Sequence, residues 1–227
     1  MEPTPEQEPV PEAFEVLAEH LSTLGMGFPT RPDLYDILRA NLSEEEAALL
    51  CLLPTRVGPL ELATAARLAA ESGRPEAELA RDLEALTDRG MLYRGTTESG
   101  ERGYALLQVG FGFPQTFFWK GEATPHATKM AGLVSKYFGR KVTHEAYAAT
   151  ETKPYRYVPV RRALETGRQA VLPHHSMESV LQGARRFAVA HCPCRVATRL
   201  KGVGCEHPEE VCLKFDELAD FVIERGL

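Results

Sequence analysis

SEEEAALLCLLPTRVGPLELATAARLAAESGRPEAELARDLEALTDRGMLYRGTTESGERGYALLQV, residues 43–109, carries the most regular patterning in the chain. Ser43 and Glu46 form a capping box ahead of Ala47, Leu49 and Leu50, and Pro54 stops the helix they begin. A second helix is expected from about Pro59 to Glu71, burying Leu62, Ala66 and Ala69 or their neighbours. Pro75 sits where a first helical residue tolerates it, Leu79, Leu83 and Leu86 share one face, and Gly90 supplies the C-terminal cap. Met91–Arg94 and Tyr104–Gln108 then read as two strands around the polar turn from Gly95 to Gly103.

Three helices followed by a ribbon is the order of a winged helix, which is the module expected over residues 13–110. Before it, residues 1–12 interleave Pro3, Pro5, Pro9 and Pro11 with Glu2, Glu6, Glu8 and Glu12. That composition buries little apolar surface and reads as a disordered acidic tail. Phe14, Leu17, Leu21 and Leu24 mark a helix with one apolar stripe, and a short second helix is expected after Pro32. After Val109 the chain turns aromatic, with Phe111, Phe113, Phe117, Phe118 and Trp119. Thr124 and Pro125 open a further helix that Gly139 closes. Tyr155–Val160 and Gln169–Leu172 read as short strands, Ser176 as the cap of a helix to Arg185, Phe187–Ala190 as a buried strand, and Asp216 as the cap of a final helix. The fold class expected is α+β, with the winged-helix-like module followed by a small α/β module over residues 111–227.

The chain's 227 residues suffice to bury a core without covalent staples. With 44% hydrophobic and 26% charged residues it falls among soluble globular proteins. No run reaches the length of a membrane span, and the N-terminus lacks the basic-then-apolar pattern of a signal peptide, so a cytoplasmic location is expected. A net charge of −6 repels nucleic acid and anionic lipid as a whole-chain field. On the candidate recognition helix, Arg74, Arg81 and Arg89 face Glu76, Glu78, Asp82, Glu84 and Asp88, a balance that argues against phosphate contact.

Of five cysteines, Cys51 stands alone in the apolar run Leu49–Leu53 and reads as a small buried hydrophobe. The other four, Cys192, Cys194, Cys205 and Cys212, crowd into HCPCRVATRLKGVGCEHPEEVC, residues 191–212. Their C-x-C-x10-C-x6-C spacing, with Pro193, Gly202, Gly204 and Pro208 among them, describes a loop wrapped around a metal centre. Structural zinc draws four sulfurs to one point and typically uses pairs two to four residues apart. Pro193 is expected to hold Cys192 and Cys194 in an extended turn with their sulfurs apart, which suits a cubane whose irons each take their own thiolate. The spacing favours [4Fe-4S] and leaves Zn open. Arg195, Arg199 and Lys201, with Arg185 and Arg186, would place positive charge near such an anionic cluster, and Arg195 is the best placed of them because it follows a ligand directly. His191 and His207 stay outside the ligand set.

Arg195 after Cys192-Pro193-Cys194, then Gly204-Cys205-Glu206-His207-Pro208 and Val211-Cys212-Leu213-Lys214-Phe215-Asp216, resemble the ferredoxin-type 4Fe-4S iron–sulfur proteins of anaerobic bacteria. That family joins an N-terminal winged-helix-like region to a C-P-C-R…G-C-E-H-P…V-C segment. The resemblance extends more loosely through Tyr155–Pro173 and the winged-helix region. It implies Cys192, Cys194, Cys205 and Cys212 as cluster ligands and no catalytic residue. Relatives commonly continue past the equivalent of Gly226 into a second cysteine-rich segment, whereas this sequence has no C-x-x-C-x-x-C run, which leaves two readings, a single-cluster member or one that has lost a second module, and argues against an electron relay through two clusters.

Other templates fail on their letters. His144-Glu145-Ala146-Tyr147-Ala148 lacks the second histidine of a zincin helix, and Gly110–Gln115 lacks the third glycine of a dinucleotide turn. His174 and His175 are adjacent loop residues with no metal-binding spacing. The function expected is one-electron transfer through a [4Fe-4S] cluster to or from a redox partner protein, in an anaerobic cytoplasm. Two other classes stay open, a cluster-sensing winged-helix transcription regulator and a zinc-stabilised interaction module.

Overall fold

The computed structural model describes residues 10–55, 61–108, 112–148, 177–204 and 206–227. Its fold is mixed α+β. The expected strands at Tyr155–Val160 and Gln169–Leu172, the pair His174 and His175, most of the acidic tail, and Cys205 lie outside the described residues.

The N-terminal half is helical. Helix α1 (Glu12–Ser22) starts directly after Pro11 and buries Phe14, Leu17, Ala18 and Leu21 along one stripe. Pro32 opens α2 (Pro32–Arg39), where its missing N–H costs nothing. The reciprocal capping box of α3 (Glu44–Leu50) forms as its letters predict, with Glu46 N donating to the Ser43 hydroxyl and Ser43 N donating to the Glu46 carboxylate. Helix α4 (Ala65–Ser72) starts later than its periodicity suggests, capped by Thr64, and Leu68 is its buried residue while Ala66 is exposed. Ala63, just before it, pairs with Tyr104 as an isolated bridge. The two bridge hydrogen bonds hold Ala63 itself in a strand pairing, which bounds the start of the helix. Helix α5 (Glu76–Asp88) buries Leu79, Leu83, Leu86 and Thr87. It leads into β1 (Leu92–Thr96) and β2 (Arg102–Leu106), paired antiparallel.

The second half begins with a 3₁₀ turn (Gln115–Phe118) and α6 (Pro125–Tyr137), capped by Thr124. Helices α7 (Arg140–Ala148) and α8 (Met177–Gly183) follow. Next come β3 (Phe187–His191), α9 (Pro193–Leu200), β4 (Glu210–Phe215) and α10 (Asp216–Glu224). Strands β3 and β4 pair antiparallel, with Val189 opposite Leu213, Ala190 opposite Cys212, and a register shift between Ala190 and His191. The sheet packs against α10, and its two faces differ. Phe187 (58% exposed) and Val189 (50%) point outward, so β3 is not the buried strand its letters suggest. Ala190, Cys212 and Lys214 occupy the inner face, as period-two alternation requires.

One set of buried side chains runs from Phe14 through Leu106 and Trp119 to Val222, so both halves share a core. Tyr93 of β1 stacks on Phe221 of α10 with ring centroids 5.0 Å apart. Among the described residues no helix is long and apolar enough to cross a membrane.

Candidate functional site

The site is assembled by β3, α9 and β4. The chain leaves β3 at His191, turns at Cys192, and enters α9 with Pro193 as its first residue. Cys192 is therefore the residue before the helix (φ −70°, ψ 113°), and Cys194 lies in its first turn. The extended turn expected around Pro193 gives way to a helix start, because proline lacks only an N–H that this position leaves unpaired anyway. Val196 N closes the first helical bond to the Cys192 carbonyl at 3.0 Å, and Cys192 N donates to the Glu209 carbonyl at the end of the returning loop. That second bond ties the start of α9 to the approach of β4.

Strand β4 carries Cys212 back beside the first pair. Burial, and after it the facing charges of Cys192 and Cys212, push the Cys194 thiol up. Three of the four expected ligands, one before α9, one in its first turn and one on β4, thus fall within electrostatic range of Cys194, but they do not form a group placed to hold a metal ion. Nothing is described for Cys205. Cys51 lies far along the chain at the end of α3, half-buried, and burial alone raises its thiol.

Lys214 lies within electrostatic range of Cys212 and Cys192. Two residues beyond Cys212 on the same strand, it shares the inner face, is 5% exposed, and holds its Nζ 3.9 Å from the centroid of the buried Trp119 ring. Burial pulls the Lys214 pKa down, and the charges of Cys212 and Cys192 oppose that fall. Among the described residues no carboxylate pairs with it.

The arginines expected near the sulfurs are engaged elsewhere. Arg195 donates to the Pro208 carbonyl, so it braces the loop between Cys205 and Cys212. Arg199 makes a two-pronged pair with Glu209 at 2.7 and 3.0 Å and donates to the Gly121 carbonyl. Arg185 pairs with Glu217, and Arg186 with Asp220. Lys214 was legible in the letters: in C-L-K at strand spacing, the first and third residues face the same way. His191 stays outside the sulfur group, its Nδ1 3.1 Å from the Trp119 carbonyl and its Nε2 3.8 Å from Glu210.

Among the described residues, no group of three or more His, Cys, Asp or Glu side chains is placed to hold a metal ion. What the described thiols offer is donor chemistry: soft sulfurs on either side of a β–α turn. Thiolates are what iron–sulfur clusters and zinc both take. With the extended turn replaced by a helix start, preference for a cluster over zinc rests on the C-x-C spacing and on the motif.

At the two ends of the candidate recognition helix α5, Arg74, just before it, is bound to Glu78 and Asp82, and Arg89, its C-terminal cap, to Glu46. These pairs occupy guanidinium groups that a phosphate would need. No family model, curated protein or solved structure matches the chain.

Proposed function

We propose that the chain is an electron-transfer protein that binds one [4Fe-4S] cluster through Cys192, Cys194, Cys205 and Cys212 and exchanges single electrons with a redox partner protein. The observation that carries this reading is the C-x-C-x10-C-x6-C spacing of residues 192–212 in the sequence, three members of which fall within the β3–α9–β4 unit. A cluster bound there would supply the electron-storing centre. The chain's own part is to hold the sulfurs.

The paired arginines that flank α5, Arg74 and Arg89, and the net charge of −6 favour this reading over a DNA-binding regulator. An acidic chain suits weak, salt-sensitive docking to a basic partner, the kind of contact that electron carriers use.

The test is substitution by serine in the full chain, purified without oxygen. Wild type is expected to be brown, with visible absorption that dithionite bleaches reversibly. Cys192→Ser, Cys194→Ser and Cys212→Ser should each lose most of that absorption, while Cys51→Ser keeps it. Equal loss from Cys51→Ser would overturn the ligand assignment. A colourless, folded wild-type protein carrying zinc would overturn the function.

A further inference from the structure

An arginine does not shed its proton when it leaves water, so a guanidinium drawn into a protein is stabilised by an anion or by a full set of acceptors. Arg225, the C-terminal cap residue of α10, has neither among the described residues. No carboxylate forms an ion pair with it there, and its Nε and Nη1 are closed off from solvent with no acceptor. Its contacts are the Asp88 carbonyl, which accepts from Nη2 at 2.6 Å, and the Phe221 ring, whose centroid is 5.1 Å from the guanidinium carbon. That carbonyl is one of those that the end of α5 leaves without a helical partner, so the bond caps a helix. It supplies a dipole and not a counter-charge. Burial pulls the Arg225 pKa down to about 10, with Asp88 opposing the fall and Arg94 adding to it.

Arg225 lines a cavity of about 430 Å³ bounded by the residues that end α2 and α5, the 3₁₀ turn and the start of α6. That volume is the size of a small-molecule site. Ala40, Phe117 and Ala127 contribute apolar lining, and the His126 ring stands edge-on to Phe117 with centroids 5.1 Å apart. The charged lining is mixed. Lys120, like Arg225, has no ion pair among the described residues, whereas Arg89 is already held by Glu46. Asp88 and Glu122 lie in the same lining, so a dianion such as phosphate would meet two like charges. A single carboxylate balances one guanidinium, and its two oxygens match the planar fork.

We infer that this cavity is a binding site for a small organic monocarboxylate: Arg225 receives the carboxylate, Lys120 adds to the positive field, and the apolar body of the ligand rests against Phe117. Such a ligand supplies the counter-charge that the fold leaves out, and the closed side of the guanidinium leaves the cavity as its direction of approach. None of the lining residues belongs to β3, α9 or β4, so the inference is independent of the cysteines and of what they bind. Selectivity follows from charge more than from shape. A neutral molecule of the same size gains the apolar contact but leaves the guanidinium uncompensated.

The experiment is calorimetric titration of the full chain, purified without oxygen, at fixed ionic strength. The probes are hexanoate and phenylacetate, with 2-phenylethanol as the neutral counterpart and inorganic phosphate as the dianion. At least one of the two carboxylates should bind wild type about tenfold or more tightly than either control, as a charge-assisted hydrogen bond implies. Arg225→Gln should weaken that binding about tenfold, and Lys120→Ala about threefold. Lys141→Ala, on α7 and outside the lining, should leave it unchanged. A second readout locates the ligand: the His126 ring proton resonances should shift with the bound carboxylate and not with 2-phenylethanol. Arg225 also caps α5, so circular dichroism first establishes that Arg225→Gln is folded. If it is not, the exposed Lys120→Ala and the His126 resonances decide. No binding of either carboxylate, equal binding of 2-phenylethanol, tighter binding of phosphate, or a Lys120→Ala affinity equal to wild type with His126 unmoved overturns the inference. Each of these results leaves the proposed function untouched.

Discussion

At the scale of single residues, charge partners decide more than charge counts. Glu84 on α5 receives hydrogen bonds from Tyr104, Arg94 and Arg102 at 2.7, 2.6 and 2.8 Å. Burial pushes its carboxyl up, but these three donors outweigh burial and the net shift is downward. The same contact, with burial as the larger cause, holds the Tyr104 hydroxyl above its ordinary range. A carboxylate whose folded pKa is depressed contributes stability that is fully present above its unfolded value of 4.5 and is lost as pH falls through the folded value. Glu84→Gln should therefore cost about 1–2 kcal/mol at neutral pH and flatten the acid limb of the stability profile below pH 4.5. Urea denaturation at a series of pH values checks both; an unchanged acid limb would show that the network contributes nothing. At Lys214, whose ammonium lies over the Trp119 ring, the balance is reversed: burial outweighs its neighbours and the net shift is downward.

At the scale of elements, the junction between α5 and the second half is built on one glycine. Gly90 adopts φ +78° after α5, and a Cβ there would stand 2.9 Å from the Thr116 hydroxyl, which donates to the Gly90 carbonyl at 2.8 Å. Gly90→Ala should destabilise the chain by about 2 kcal/mol, combining left-handed strain with a displaced hydrogen bond. A urea midpoint equal to wild type would contradict that account. Much of the element pattern was legible because local signals agreed with each other. Ser43 with Glu46, Thr124 with Pro125, and Gly90 each carry a cap or stop that needs no distant partner. The start of α4 was not legible, because a bridge between Ala63 and Tyr104, distant in sequence, competes with its helical periodicity. Strand β4 escaped notice because cysteine spacing drew the reading toward a loop, while the alternation of Cys212 and Lys214 belongs to a strand. Pro193 was read as a helix breaker when it opens α9. Proline's effect depends on its position in the turn, and the letters alone do not give that position.

At the scale of the whole molecule, the shared core explains how a sulfur site gains a dry wall. Trp119, fully buried, belongs to the same set of side chains as Leu106 of β2 and Phe221 of α10. The N-terminal half thus helps to hold the ring against which Lys214 rests, and the two halves meet again where Tyr93 stacks on Phe221. Under the proposed function this core would wall one side of the sulfur site, and the net charge of −6 would suit brief contact with a basic partner. The account stands or falls on what those sulfurs hold. The most direct measurement is the content of iron, acid-labile sulfide and zinc in the full chain purified under strict exclusion of oxygen. It should return iron and sulfide each near about four per chain, with negligible zinc. Stoichiometric zinc with no acid-labile sulfide would contradict it.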